Sequence, residues 1–340
     1  MTPPEVVLDR WTKTQARERP QCSGYVGKLD IDRVEAPALR SLLHLLQEAM
    51  NQALLLENAN ASGGTLHPPF HFDYLEVTDG RKNAHAFQHG GYSFIVLTRP
   101  LVEMLWDASR LLSRSQVVLG LLGISGDVVR PEAVQALLFQ FQFAFLTSHE
   151  YTHHVHRHCG DGTWDEFVQG EANGSLENQA QELDADGYAL YLTLGNYLRG
   201  AARGPSLAQV GMQGLTRLQG DEFLLSGIFV ALTELFCCMW PVSVAITRIR
   251  QLPHPPAPVR IEYAIRVAIM WCGQNASVPE SWFGAERFRA VYLAATRAEA
   301  QGPIARSLRD GRVEPRDLRP ISQPPAPTWR LSFTRRFSSE

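Results

Sequence analysis

Residues Phe145 to Cys159 read FLTSHEYTHHVHRHC, and inside them His149-Glu150-Tyr151-Thr152-His153 is an H-E-x-x-H. Residues four apart on a helix lie about 40° from each other around its axis, so His149 and His153 can offer their rings to one ion. Glu150, one residue past the first ring, can reach a water held by that ion and act as general base. A catalytic zinc takes three protein ligands and leaves one position open, so the pattern needs one more donor from elsewhere. The five-residue pattern alone is only moderately specific. Its context sharpens it: the run before it, AVQALLFQFQFAFLTS, is apolar enough to be buried, and buried histidines need a metal or hydrogen-bond partners. A buried metal-binding helix is therefore expected, in preference to a histidine-rich exposed helix end.

The third ligand decides the subclass. A metzincin would carry glycine seven residues and histidine ten residues after His149, but those positions hold His156 and Cys159. The alternative is a carboxylate from a second helix. Gln181-Glu182-Leu183-Asp184-Ala185-Asp186 supplies E-x-x-x-D, 29 residues after His153, with Glu182 and Asp186 on one helix face. Glu182 is the expected third ligand. Asp186 is expected to accept a hydrogen bond from the far nitrogen of a ligand histidine, a contact that fixes the ring tautomer and raises ligand basicity. Seven residues from His149, His156 is a substitute ligand or an outer donor. His154 and His158 are expected at the surface, and Cys159 to pack as an ordinary helix-end cysteine.

The 340 residues are 45% hydrophobic and 20% charged, which is enough for a large core and excludes disordered, collagenous and coiled-coil chains. A net charge of −3 gives no basic footprint, so nucleic acid is not an expected partner. Five cysteines without framework spacing suit a reducing compartment, and no signal-peptide stretch opens the chain. A cytoplasmic protein is the expectation. The run Phe223 to Ile246, FLLSGIFVALTELFCCMWPVSVAI, is long enough to span a bilayer. A carboxylate at its middle, Glu234, is costly in hydrocarbon, so a buried core helix is favoured over membrane contact.

Helical periodicity dominates, with amphipathic or apolar helices expected near 38–58, 100–113, 131–158, 176–199, 222–250, 258–273 and 284–301. Phe70 to Val77 and Tyr92 to Thr98 are the best strands, with Asp79-Gly80 and Gly90-Gly91 as turns beside them. The organisation expected is a poorly ordered N-terminal tail at 1–20, one domain at 21–320 and a C-terminal tail at 321–340. The acids from Asp161 to Asp186, with no lysine or arginine among them, would favour basic substrate segments if they flank the cleft. The mildly basic stretch from Arg297 to Arg319 can pair with them.

With these residues in hand the chain resembles the gluzincin metallopeptidases, in particular the HtpX and CAAX-prenyl-protease class. That class joins H-E-x-x-H to E-x-x-A-D, as Glu182-Leu-Asp-Ala185-Asp186 reads, and to H-P-x-x-x-x-R-I, as His254 to Ile261 (HPPAPVRI) reads. Asn83 to Trp106, NAHAFQHGGYSFIVLTRPLVEMLW, is similar to its N-A-F stretch, edge strand and following helix. The resemblance covers roughly residues 80 to 270. It implies that His254 and Arg260 stabilise a tetrahedral oxyanion, a task that suits donors aimed at developing negative charge. The class's well-known members span membranes several times. Phage-exclusion peptidases of the Lit type, soluble H-E-x-x-H proteins, look closer in size and compartment.

The expected fold is α+β and zincin-like, mainly helical, with a small sheet whose edge strand, near Tyr92 to Thr98, borders the histidine helix. The expected function is zinc-dependent hydrolysis of a protein or peptide substrate, with Glu150 as general base. The rival expectations are a triggered protease effector of antiviral defence and a non-catalytic zinc-binding regulator.

Overall fold

A computed structural model describes residues 2–14, 22, 24–61, 68–124, 129–158, 163–165, 176–240, 252, 254–275 and 277–300. In chain order the helices are α1 (Pro4–Lys13), α2 (Pro37–Ala61), α3 (Arg99–Ser113), α4 (Gln116–Leu121), α5 (Pro131–Val155), α6 (Leu176–Leu194), α7 (Arg203–Gln209), α8 (Arg217–Met239), α9 (Ala257–Asn275) and α10 (Ala285–Ala300). The strands are β1 (Tyr25–Lys28), β2 (Phe70–Val77), β3 (Ala84–His89), β4 (Tyr92–Thr98) and β5 (Thr163–Asp165). The fold is mainly helical α+β, as expected.

Prolines at the first turns of α1, α3 and α5 start helices where a missing N–H costs nothing. Thr216 and Gln219 form a capping box that starts α8. The strands form one mixed sheet in the order β1-β2-β4-β3-β5. β2 runs parallel to β4, pairing Phe70 with Ser93 through Leu75 with Thr98, and the other pairs are antiparallel. This corrects one expectation: Tyr92–Thr98 is the central strand, and the edges are β1 and β5. The reason is local. Gly90 and Gly91 both have positive φ (56° and 84°) and close a two-residue hairpin, so β3 folds back onto β4's free side.

α5 runs through the middle of the molecule, packed against α3, α6, α8 and the inner strands β3 and β4. Its Leu137, Leu138, Phe139, Phe141, Phe145 and Leu146 are all buried, so most of its surface is covered, leaving a half-buried stripe at Gln140, Ala144, Ser148 and Tyr151. Beside it α8 is buried from Phe223 to Phe236. Gly227 makes that approach close, since a Cβ there would stand 2.8 Å from the Phe141 ring. Among the described residues α8 is the one helix long and apolar enough to cross a membrane, and it is mostly buried. Glu234, 1% exposed, accepts a bond from Cys238 Sγ at 3.5 Å, which supports a core helix. Residues 241–246 of that apolar run lie outside the described residues. So do the expected tail at 321–340 and all but the first four residues of the basic stretch 297–319.

Of the poorly ordered tail expected at 1–20, residues 2–14 are described, and they hold the ordered helix α1. α1 covers the second face of the sheet, with Leu8 and Trp11 buried and the Trp11 ring stacked 4.0 Å from that of Phe87. A ten-residue helix is marginal alone, so its stability comes from this contact, which pattern reading does not see. Trp11→Ala should lower unfolding free energy by about 3–5 kcal/mol in urea denaturation, the usual cost of truncating a buried aromatic. A change within about 0.5 kcal/mol, typical of surface positions, would show that α1 is not part of the cooperative fold.

Candidate metal centre

The two histidines of the H-E-x-x-H lie one turn apart near the end of α5, and both are fully buried. Their Nε2 atoms stand 3.0 Å apart. From α6, Glu182 brings Oε2 to 3.5 Å from His149 Nε2 and Oε1 to 3.6 Å from His153 Nε2. Tetrahedral ligands at bonds of about 2.0–2.1 Å stand roughly 3.3 Å apart. The two imidazole nitrogens and the two carboxylate oxygens lie near that spacing, one ligand atom from each residue lies within 4.8 Å of the others, and this buried group could hold a metal ion.

The protonation states suit that use. Burial, aided by the charge of His149, holds His153 well below the usual imidazole range, so it stays neutral with a lone pair to offer. For Glu182 burial alone would raise the pKa. The charge of His254, with hydrogen bonds from His149 and His254, outweighs it and holds the carboxyl well below its ordinary value.

Asp186, one turn beyond Glu182, places Oδ1 at 3.0 Å from His149 Nδ1. The ring's other nitrogen, Nε2, faces Glu182 and His153. Arg260, on α9, grips the same carboxylate with both prongs: Nε donates to Oδ2 at 2.6 Å and a terminal nitrogen to Oδ1. Its guanidinium is fully buried and lies over the Trp240 ring, 3.7 Å from the centroid. His254 Nδ1 stands 3.2 Å from Glu182 Oε2. Gly187 keeps α6 and α9 close, because a Cβ there would lie 2.9 Å from the Tyr263 hydroxyl. Glu150 is fully buried beside His149. Thus His149, His153, Glu182, Asp186, His254 and Arg260 converge from α5, α6, α9 and the residues just before α9.

His154 and His158 differ from the surface positions expected. His154 is 3% exposed, and its Nε2 stands 2.8 Å from the Phe94 carbonyl, tying α5 to the central strand. His158 is largely buried, its Nδ1 3.0 Å from His153 Nδ1 and its Nε2 3.2 Å from Asp184 Oδ2. His156 is part-exposed and faces Asp184 Oδ2 at 2.5 Å. Cys159 lies outside the described residues, as do Asp161, Glu166 and Glu171 of the acidic stretch. Trp240 and Asp184 carried no sequence signal. A tryptophan beside a proline reads as core, and an aspartate between two predicted site residues reads as solvated.

A buried H-E-x-x-H helix with a carboxylate from its neighbour defines a candidate metal centre in a mainly helical α+β protein. Residues 128–270 match the model of the Peptidase U49 family, a Lit-like peptidase family. The match spans less than half of the 340 residues but includes His149, Glu150, His153, Glu182, Asp186, His254 and Arg260, and it supports a peptidase with a protein substrate. No curated protein and no solved structure matches the chain.

The ion pair at the back of the site is testable without substrate. Arg260→Met would leave the Asp186 carboxylate buried without its two N–H donors, and should cost about 3–5 kcal/mol in urea unfolding. Arg260→Lys should recover only part of this, since one ammonium cannot reproduce the two-pronged contact. Wild-type stability in both variants would remove the pair from the fold's essential contacts.

Proposed function

We propose that the protein is a zinc-dependent endopeptidase of gluzincin type, acting in the cytoplasm on a protein substrate. The observation that carries this is the buried His149, His153 and Glu182 group, with Glu150 one residue past its first histidine. Two imidazoles and a carboxylate are a donor set suited to catalytic zinc. When bound, zinc supplies Lewis acidity, polarising a carbonyl and lowering the pKa of water. Glu150 then takes the proton of the attacking water and passes it to the leaving amine. Asp186 would hold His149 in the tautomer that presents Nε2; Arg260 grips Asp186 through Nε and one terminal nitrogen, and its other terminal nitrogen faces Glu182 Oε2 at 3.8 Å, on the ligand side. His254 is left as the donor nearest the ligand carboxylate, placed to meet negative charge developing on the substrate oxygen. An extended substrate would pair along an outer edge of the sheet through main-chain hydrogen bonds. On the β3 side that edge is β5, not β4.

Metal analysis of the purified protein should give about one equivalent of zinc, as for a mononuclear site, and His153→Ala should lose it. A His153→Ala protein with full zinc occupancy would end the ligand assignment.

Glu150 and Asp186 should separate kinetically on a substrate trapped with the Glu150→Gln protein and identified by mass spectrometry. Glu150→Gln should keep its zinc and lose nearly all turnover, because the proton acceptor is gone while Lewis acidity remains. Asp186→Asn keeps the volume but weakens the contact to His149, and should cost roughly 10–100-fold in zinc affinity or activity. Added zinc should partly rescue Asp186→Asn and never Glu150→Gln. Wild-type cleavage by Glu150→Gln would overturn the mechanism.

A further inference from the structure

A second group of metal-ligating side chains lies just outside the first. His156 Nδ1 and His158 Nε2 both face Asp184 Oδ2, at 2.5 and 3.2 Å, and one ligand atom from each of the three residues lies within 4.8 Å of the others. The pattern is not what a regular helix would give, since residues two apart face opposite sides. The helix ends between them. Arg157 takes φ 61°, His158 N–H bonds back to the His153 carbonyl at 2.8 Å, and Arg157 N–H to that of His154 at 3.1 Å. This is a Schellman turn with arginine where glycine is usual. It swings His158 back toward α6, so that His156 and His158 converge on one carboxylate.

We propose that His156, His158 and Asp184 form a second, outer site for a borderline transition-metal ion such as zinc, and that its occupation opposes occupation of the buried site. Two imidazoles and a carboxylate suit such ions. Opening the His156–Asp184 contact by roughly 1 Å gives the ligand spacing of a tetrahedral ion, and both side chains are exposed enough to move. Only three protein donors on an open surface make the site weak.

The opposition follows from where the protons must sit, and it rests on the buried group being a metal site. A neutral imidazole carries one N–H. If His153 gives its Nε2 lone pair to the buried ion, its proton is on Nδ1. That N–H points at His158 Nδ1, 3.0 Å away. His158 can accept it only while its own proton is on Nε2, donated to Asp184. An ion on His158 Nε2 drives that proton to Nδ1, and two N–H groups then face each other. One ring must turn or one site must weaken. By linkage the effect is reciprocal, so each ion lowers the affinity of the other.

The test is equilibrium dialysis of the full chain against buffered zinc, with circular dichroism to check folding. The wild type should bind one equivalent tightly and a second weakly. Asp184→Asn and His156→Gln should lose the second and keep the first. Glu182→Gln, or His149→Gln if that protein does not fold, should lose the tight equivalent and bind at the outer site about fivefold or more tightly than the loaded wild type, the lower end of usual coupling. A wild type that takes up one equivalent only, or a second equivalent that survives Asp184→Asn and His156→Gln as an adventitious ion only, overturns the site. Unchanged outer affinity in the Glu182→Gln protein overturns the coupling. Loss of the proposed peptidase reading would show differently, as a wild type without the tight equivalent.

Discussion

The carboxylate of Asp186 sits where three helices meet, in a region from which water is excluded. Removing a carboxylate and a guanidinium from water costs several kcal/mol per ion, repaid only by good geometry and further hydrogen bonds. Here both conditions are met: Arg260 takes both oxygens, and His149 Nδ1 stands at 3.0 Å from one of them. The contact sets more than local stability. It ties α9 to α6 through two hydrogen bonds and brings α6 against the His149 ring of α5. A charge pair that a hydrophobic core would otherwise reject is retained where it orients a ring.

The helix that carries the histidines makes a related use of burial. Consecutive residues on α5 point about 100° apart, so His153 and His154 turn to different neighbours. His153 faces Glu182 on α6, and His154 reaches the Phe94 carbonyl on the central strand. The second contact pins the end of α5 to the sheet, while its upstream part is held by apolar packing against α3, α6 and α8. A buried helix could otherwise slide along its own axis, because apolar contacts are non-directional. The hydrogen bond to a strand carbonyl removes that freedom at the turn where the candidate ligands lie.

Much of this was legible in advance, and the failures have identifiable causes. The spacing of His149, His153, Glu182 and Asp186 is a helical period, which sequence displays directly. The strands at Phe70–Val77 and Tyr92–Thr98 were visible from composition. The rank of β4 within the sheet was not, because it depends on the parallel pairing with β2 and on β3 folding back, both beyond any local window. AHAFQH, the sequence of β3, has alanines and histidines in place of the β-branched residues that mark strands. α1 was missed since its order derives from Trp11 against Phe87. His154 and His158 were misplaced for opposite reasons. The first lies on the face of α5 that packs against the sheet, and the second follows an arginine in the left-handed region, which sequence patterns assign to glycine or asparagine.

The placement of acids on α6 shows how one helix serves these contacts together. Glu182 and Asp186 are one turn apart on its buried face, and the His149 ring lies between them, with Nε2 3.5 Å from Glu182 Oε2 and Nδ1 3.0 Å from Asp186 Oδ1. An imidazole's two nitrogens point to opposite sides of the ring, so gripping both requires donors and acceptors separated by about one helical turn, 5.4 Å. An E-x-x-x-D spacing meets that demand and a D-x-E spacing would not, since residues two apart lie on opposite faces. Asp184 falls between them and therefore turns outward, half-exposed, toward the end of α5, where the left-handed Arg157 delivers His158. The same helical period that clamps His149 from both sides thus obliges an intervening acid to face the other way. The His153 to His158 contact links the two faces.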